Sequence, residues 1–233
     1  MFILGLVTGS FLNVCIYRIP REESIIYPPS HCPKCDTKLG IFDLIPVISY
    51  LILRGRCRDC GEKISIRYPI VEIITAALFT ALYVKYGFSV NFAANVIFAV
   101  LLILISFIDM EHLMIPDFLM LTGIGVGLAY SLYKGGLIAS VQGICFAFIF
   151  MFTLGAAAKF AFKKEALGEG DIKLLVMFGA FMGIEKAVLS VAIGSVAGAV
   201  ISLMAIMLNR LKMDDYIPYA PFLALGAVVA ILI

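Results

Sequence analysis

Charge is scarce in this sequence. Asp, Glu, Lys and Arg make up 15% of its 233 residues and hydrophobic residues 62%, where a soluble domain carries about 25% charged and 45–50% apolar residues. That shortage excludes a chain folded in water, and a mean hydropathy of +1.05 places it in lipid. The formal net charge of +2 points to no strongly charged partner, nucleic acid included. No basic stretch precedes the apolar run that begins at Met1 and no small-residue cleavage site follows it, so the first helix is expected to be kept. No internal repeat is visible either, which removes one mark of a secondary transporter.

What is present is a series of apolar segments, at about 1–17, 69–84, 92–108, 115–133, 137–158, 172–184, 187–208 and 217–233. Gly87, Pro116, Gly135-Gly136, Gly183 and Pro218 punctuate their joints. At roughly 20 apolar residues per crossing, the expectation is an all-α polytopic membrane protein of about eight transmembrane helices. It divides into a first helix (1–17), a loop (18–68) and a helical membrane core (69–233). Basic residues set the orientation. Nine lie in 18–67, four (Lys159, Lys163, Lys164, Lys173) flank the fifth-to-sixth loop, and Arg210 and Lys212 follow the seventh segment; only Lys85, Lys134 and Lys186 fall on the other side. Positive residues accumulate on the cytoplasmic face, so the large loop is expected there and the termini outside.

That loop carries Cys32-Pro33-Lys34-Cys35 and Cys57-Arg58-Asp59-Cys60, two CxxC knuckles with 21 residues between them. Four thiolates in two tight turns supply a closed tetrahedral zinc site of structural type. A redox pair is the competing reading, and a reducing cytosol disfavours it. Cys15 and Cys145, inside apolar segments, read as ordinary buried small residues. Between the knuckles, Ile41 to Leu53 is apolar but only 13 residues long and contains Asp43 and Pro46. It is too short to span and reads as an interfacial segment pressing the zinc-ribbon-like loop against the membrane lipid.

Charged residues in or beside membrane helices are costly and usually functional. The acidic candidates are Glu72, Asp109, Glu111, Asp117, Asp171 and Glu185. Asp109 ends the third apolar segment, and Asp171 opens the sixth within Gly168-Glu169-Gly170-Asp171. Both fall near the cytoplasmic boundary. A carboxylate pair sharing one proton has what aspartyl proteolysis requires: the ionised member draws a proton from water and the protonated member polarises the scissile carbonyl. Gly168 and Gly170 would let a substrate backbone approach closely. Solvated helix-end carboxylates are the bland alternative for the two aspartates.

At this point the chain resembles the type IV prepilin peptidases (prepilin leader peptidase/N-methyltransferases), GxGD intramembrane aspartyl proteases. The resemblance runs through Gly9-Ser10-Phe11-Leu12-Asn13-Val14-Cys15-Ile16-Tyr17-Arg18-Ile19-Pro20, both knuckles, Arg67 to Glu72, Asp109 to Asp117, Gly168 to Lys173 and Ile217 to Phe222. It implies that Asp109 and Asp171 are the catalytic pair, with Asp117 a neighbour. It also implies a bacterial inner-membrane enzyme that cuts the leader of type IV prepilins or pseudopilins and methylates the new N-terminus from S-adenosylmethionine. No Rossmann glycine fingerprint marks a site for that donor, so the methyltransferase rests on the resemblance alone. Glu72 either helps methyl transfer or makes a structural hydrogen bond between helices.

The remaining residues have plainer readings beside functional ones. His112 reads as an interfacial residue. Glu111, Glu165 and Glu169 form either an acidic rim for a basic leader or solvated loop charge. Pro218, Tyr219 and Pro221 shape the site or set the last helix's entry angle, and Gly194, Ala197 and Gly198 are close-packing positions. An ion-coupled transporter is the competing function, since embedded acids and glycine-interrupted helices also mark that class. A non-enzymatic assembly scaffold docking through the zinc loop is a third, and leaves the two boundary aspartates without a job.

Overall fold

A computed structural model of the chain describes residues 1–162, 168–208 and 217–233. The expected positions Lys163, Lys164, Glu165, Arg210 and Lys212, and the Lys159 side chain, lie outside that description. The described residues form eight α-helices and no strand: α1 (Phe2–Arg18), α2 (Ile48–Ile52), α3 (Arg67–Tyr86), α4 (Val90–His112), α5 (Asp117–Tyr133), α6 (Leu137–Phe162), α7 (Glu169–Met207) and α8 (Ala220–Leu232).

Five of these have the length and apolarity to cross a membrane: α1 with the 3₁₀ turn that follows it, α3, α4, α6 and α7. Helix α5, with 17 residues, stands at the lower limit for a crossing, and α8, with 13, falls below it. The expected segments 172–184 and 187–208 are two helical stretches of α7 that meet at Gly183, whose φ of 75° and ψ of −178° suit glycine alone. Length therefore supports an all-helical membrane protein with five full spans, and does not itself establish eight.

The chain forms two compact units, Met1–Leu104 and Ile105–Ile233, dividing within α4. In the first, α1 lies against α3 through Gly5 and Gly9, four residues apart on one face. A Cβ on Gly5 would stand 2.5 Å from the Ala76 Cα, and one on Gly9 2.6 Å from the Glu72 Cα. This is the small-xxx-small contact that lets membrane helices approach backbone to backbone. One turn on, buried Asn13 donates to the Tyr68 carbonyl at 3.0 Å and fixes the start of α3. Arg18, also buried, donates to the carbonyls of Ser24 (2.8 Å) and Pro28 (2.6 Å) and so gathers in the first part of the loop.

In the second unit α7 touches α5, α6 and α8, each across small residues. Gly127 of α5 faces Ala180 and Phe181, Gly143 of α6 faces Gly179, and Gly226 of α8 faces Ser190. Gly194 and Gly198 pack against Phe222 of α8, the close packing expected of them. Cys15 is buried as expected, but Cys145 is exposed on α6. Its small size fills no core there, and in a spanning helix an exposed face is one that meets lipid.

Candidate functional site

The second unit brings Asp109 and Asp171 within direct electrostatic reach of each other. Asp109 stands in the last turn of α4 and is buried. Its Oδ2 accepts the backbone N–H of Ala220 at 3.1 Å. Ala220 is the first residue of α8, with Tyr219 as N-cap, so the carboxylate meets one of the N–H groups that a helix start leaves without an intrahelical partner. Sequence reasoning assigned nothing to Ala220. The available signal was Pro221: a proline at the second helical position has no N–H, which leaves Ala220 as the donor ahead of it.

Asp171 sits at the third helical position of α7, and its backbone N–H donates to the carbonyl of the N-cap Gly168 at 3.1 Å, so the first turn of α7 sets where its carboxylate stands. Gly170 faces Ile115, whose Cδ1 would stand 3.0 Å from an added Cβ. Its lack of a side chain thus accommodates the turn before α5, whereas Gly168 has ordinary clearance above it. Asp117, in the first turn of α5, pairs with Lys173 at 2.6 Å, with both side chains well exposed. Its charge is therefore met by a lysine, apart from the Asp109–Asp171 pair. His112, one turn beyond Asp109, keeps a buried Nε2 with no hydrogen-bond partner among the described residues.

In the first unit Cys32, Cys35, Cys57 and Cys60 converge, with all four Sγ atoms within 4.8 Å of one another. The two knuckles have matching backbones. Antiparallel bridges His31–Lys38 and Arg56–Lys63 close them. The residue after each second cysteine, Asp36 (φ 56°) or Gly61 (φ 72°), is left-handed and donates its N–H to the first cysteine's carbonyl, at 2.9 and 3.1 Å. Metal–sulfur bonds of about 2.3 Å in a tetrahedron put the sulfurs roughly 3.8 Å apart, and Cys32 and Cys60 Sγ stand at 3.8 Å. All six cysteines are free thiols.

The thiol chemistry fits a cation. Hydrogen bonding with the Thr37 side chain and backbone holds Cys35 down at about 7, and the backbone groups of Cys60 and Asp59 lower Cys57. Cys60 has a backbone hydrogen bond at Glu62 that favours its thiolate, yet desolvation and the three neighbouring thiols push it up to about 12. Four thiolates this close need a divalent ion to offset their repulsion.

Glu72, 6% exposed, lies in the second turn of α3. Its Oε2 accepts the Val47 N–H at 2.7 Å. Val47 has φ 61°, a conformation costly for a β-branched residue, and the bond to Glu72 holds it there. The other end of the 41–53 segment is tied to the second knuckle, where Arg58 reaches Asp43 Oδ1 at 2.6 Å. That guanidinium keeps the Asp43 carboxyl below its ordinary value.

Comparison with known proteins agrees with both units. Residues 3–86 match the bacterial peptidase A24 N-terminal domain, and residues 96–203 match the type IV leader peptidase family. A Myxococcus xanthus protein named prepilin leader peptidase/N-methyltransferase is 37% identical over 89% of this chain, which spans 62% of that relative's length. Relatives of the same name from Bacillus subtilis (32% identical, 100% of this chain, 92% of the relative) and Pseudomonas aeruginosa (31%, 99% and 88%) match over most of their length. No solved structure matches the chain.

Proposed function

The chain belongs to the type IV leader peptidase family, and from that premise we propose that it cuts the leader peptide of type IV prepilins or pseudopilins by aspartyl chemistry and then methylates the new N-terminus. The observation that carries the reading is the pairing of Asp109 and Asp171 at helix ends within reach of each other's charge. The ionised member takes a proton from the attacking water while the protonated member polarises the scissile carbonyl. The Ala220 N–H, held by α8, orients the Asp109 carboxylate, and the backbone bond from Asp171 to the Gly168 carbonyl holds the start of α7 that carries Asp171. Gly168 keeps a side chain away from the α7 entry, where the unwound substrate passes, and Gly170 lets Ile115 close in behind that entry.

Cys32, Cys35, Cys57 and Cys60 would hold Zn²⁺ in a closed set that leaves no position for water, so the ion's contribution is to the loop's shape. S-adenosylmethionine supplies a sulfonium-bound methyl group when bound. Glu72, already engaged by Val47, serves methyl transfer by holding the loop against α3. The basic-residue count supports an inner-membrane orientation with the loop and both aspartates on the cytoplasmic face. The test incubates purified protein in detergent with a prepilin and S-adenosylmethionine and weighs the product. Loss of the leader with gain of one methyl group supports both activities; an uncut substrate at matched enzyme folding refutes the peptidase.

A further inference from the structure

We infer that residues 41–56 form a lipid-binding elbow, in which Ile41, Phe42, Ile48, Leu51 and Ile52 enter the acyl boundary of the bilayer while Arg54 and Arg56 take up anionic phospholipid headgroups.

The segment has two unlike sides. Its inner side is fastened by Asp43 to Arg58 and Gly40, by the Val47 N–H to Glu72, and by Tyr50, whose ring packs under Gly55. Its outer side is bare: Ile41 is 85% exposed, Phe42 77% and Ile52 72%. Ile48, Leu51 and Ile52 stand at i, i+3 and i+4 of α2, so they share one face of it. Exposed apolar area on this scale marks a binding surface.

Depth identifies the occupant. Glu72 lies five residues inside α3, a membrane-spanning helix that starts at Arg67, which is about 7.5 Å along the axis. The Val47–Glu72 bond therefore sets the elbow level with the outer turns of a span, the depth at which an in-plane amphipathic segment buries its apolar side. Lipid is what surrounds a span at that level.

Charge completes the match. Helix α2 ends in a Schellman turn, with Gly55 N–H donating to the Tyr50 carbonyl at 2.9 Å and Arg54 N–H to Leu51 at 3.1 Å. Its left-handed residue is Arg54 rather than a glycine (φ 53°). Arg54 and Arg56 are both exposed, directly after the apolar face. Basic side chains in that place are drawn to the negative surface of an anionic bilayer.

The chain contains no tryptophan, so Phe42→Trp gives a single fluorophore at the elbow, on an exposed position where the larger ring disturbs no core. The full-length variant is reconstituted into vesicles containing phospholipid brominated at shallow or deep acyl positions, on either a neutral or an anionic headgroup. The expected result is blue-shifted emission, quenched most by shallow bromines and at least twofold more by the anionic than the neutral brominated lipid. In Phe42→Trp/Arg54→Gln/Arg56→Gln the preference for anionic lipid disappears while shallow quenching stays. Emission quenched by aqueous iodide, or shielded from both iodide and brominated lipid because protein covers the elbow, overturns the insertion. Equal quenching by the two headgroups overturns the anionic recognition.

Discussion

In the cysteine loop each ligand is placed by backbone a few residues away: a bridge, a left-handed residue and one N–H fix each knuckle. The aspartate pair is assembled in the opposite way. Asp109 comes from the end of α4, Asp171 from the start of α7, and the N–H that orients Asp109 from a residue 111 positions on. The first kind of site is broken by changing its own ligands and leaves distant helices alone. The second depends on helix packing and shifts whenever a crossing shifts. Five experiments press on that contrast.

The largest expected effect is at the metal. Structural zinc in small Cys-rich sites is bound with about 10 kcal/mol or more, so Cys35→Ser with Cys60→Ser should reduce zinc from one per chain to none by metal analysis. Limited proteolysis should then speed up within residues 18–66, while helicity measured by circular dichroism stays unchanged. Stoichiometric zinc in the double variant would remove the ligand assignment.

Next come the aspartates. General acid–base groups contribute about 10²- to 10⁴-fold, so Asp109→Asn and Asp171→Asn should each lose roughly a thousandfold or more in prepilin cleavage. Each substitution keeps the size and one accepting oxygen while replacing the other with an NH2 donor, and zinc content should not change. Normal processing by either variant at matched expression would break the pair.

These two sites also differ in how far the sequence revealed them. CxxC spacing is local, so the sulfur cluster could be read directly, and so could the helical character of the apolar segments. The aspartates were legible as boundary carboxylates, but nothing local says that Asp109 meets Asp171, and the resemblance made that link. Ala220 and Val47 act through backbone N–H groups, which every residue carries, so their identities advertise nothing. The division of residues 172–208 into two segments was legible too, because the joint falls at Gly183, where a glycine allows the positive φ that breaks the helix. Gly5 and Gly9 were available as a small-xxx-small pair and went unremarked, because their partner face on α3 is known only from the fold.

The crossing of α6 and α7 tests whether the aspartate pair depends on distant packing. Gly179→Leu places a side chain where the Gly143 backbone lies, and overpacking typically costs about 1–3 kcal/mol. Thermal stability in detergent should fall by about that amount, with cleavage reduced severalfold although neither aspartate is touched. Unchanged stability would show that the crossing is looser than the fold implies.

A smaller effect is expected at Glu72. Glu72→Gln keeps an oxygen for the Val47 N–H but gives up its charge, replacing a charge-assisted bond of about 1.5–3 kcal/mol with a neutral one of about 0.5–1.5. Cleavage should stay within about twofold and methylation should fall severalfold, both read from product masses. Glu72→Leu, which loses the acceptor altogether, should loosen the 41–53 segment to proteolysis. Equal loss of cleavage and methylation in Glu72→Gln would make the residue a general support of the fold.

The smallest effect belongs to Asp117, and it separates proximity from membership of the pair. Asp117 binds Lys173 at 2.6 Å, but the side chains are 67% and 43% exposed, and exposed ion pairs are worth about 0.2–1 kcal/mol, less in salt. Asp117→Asn keeps an oxygen for the lysine and removes only the charge. Cleavage should therefore remain within about threefold of the unsubstituted protein, with a difference that shrinks as ionic strength rises from low to physiological. An exposed pair gives that salt response because its attraction is screened, whereas a member of a shared-proton pair would give a loss that salt leaves untouched. A loss of a hundredfold or more at every salt concentration would move Asp117 into the catalytic set and leave open which two of the three aspartates share the proton.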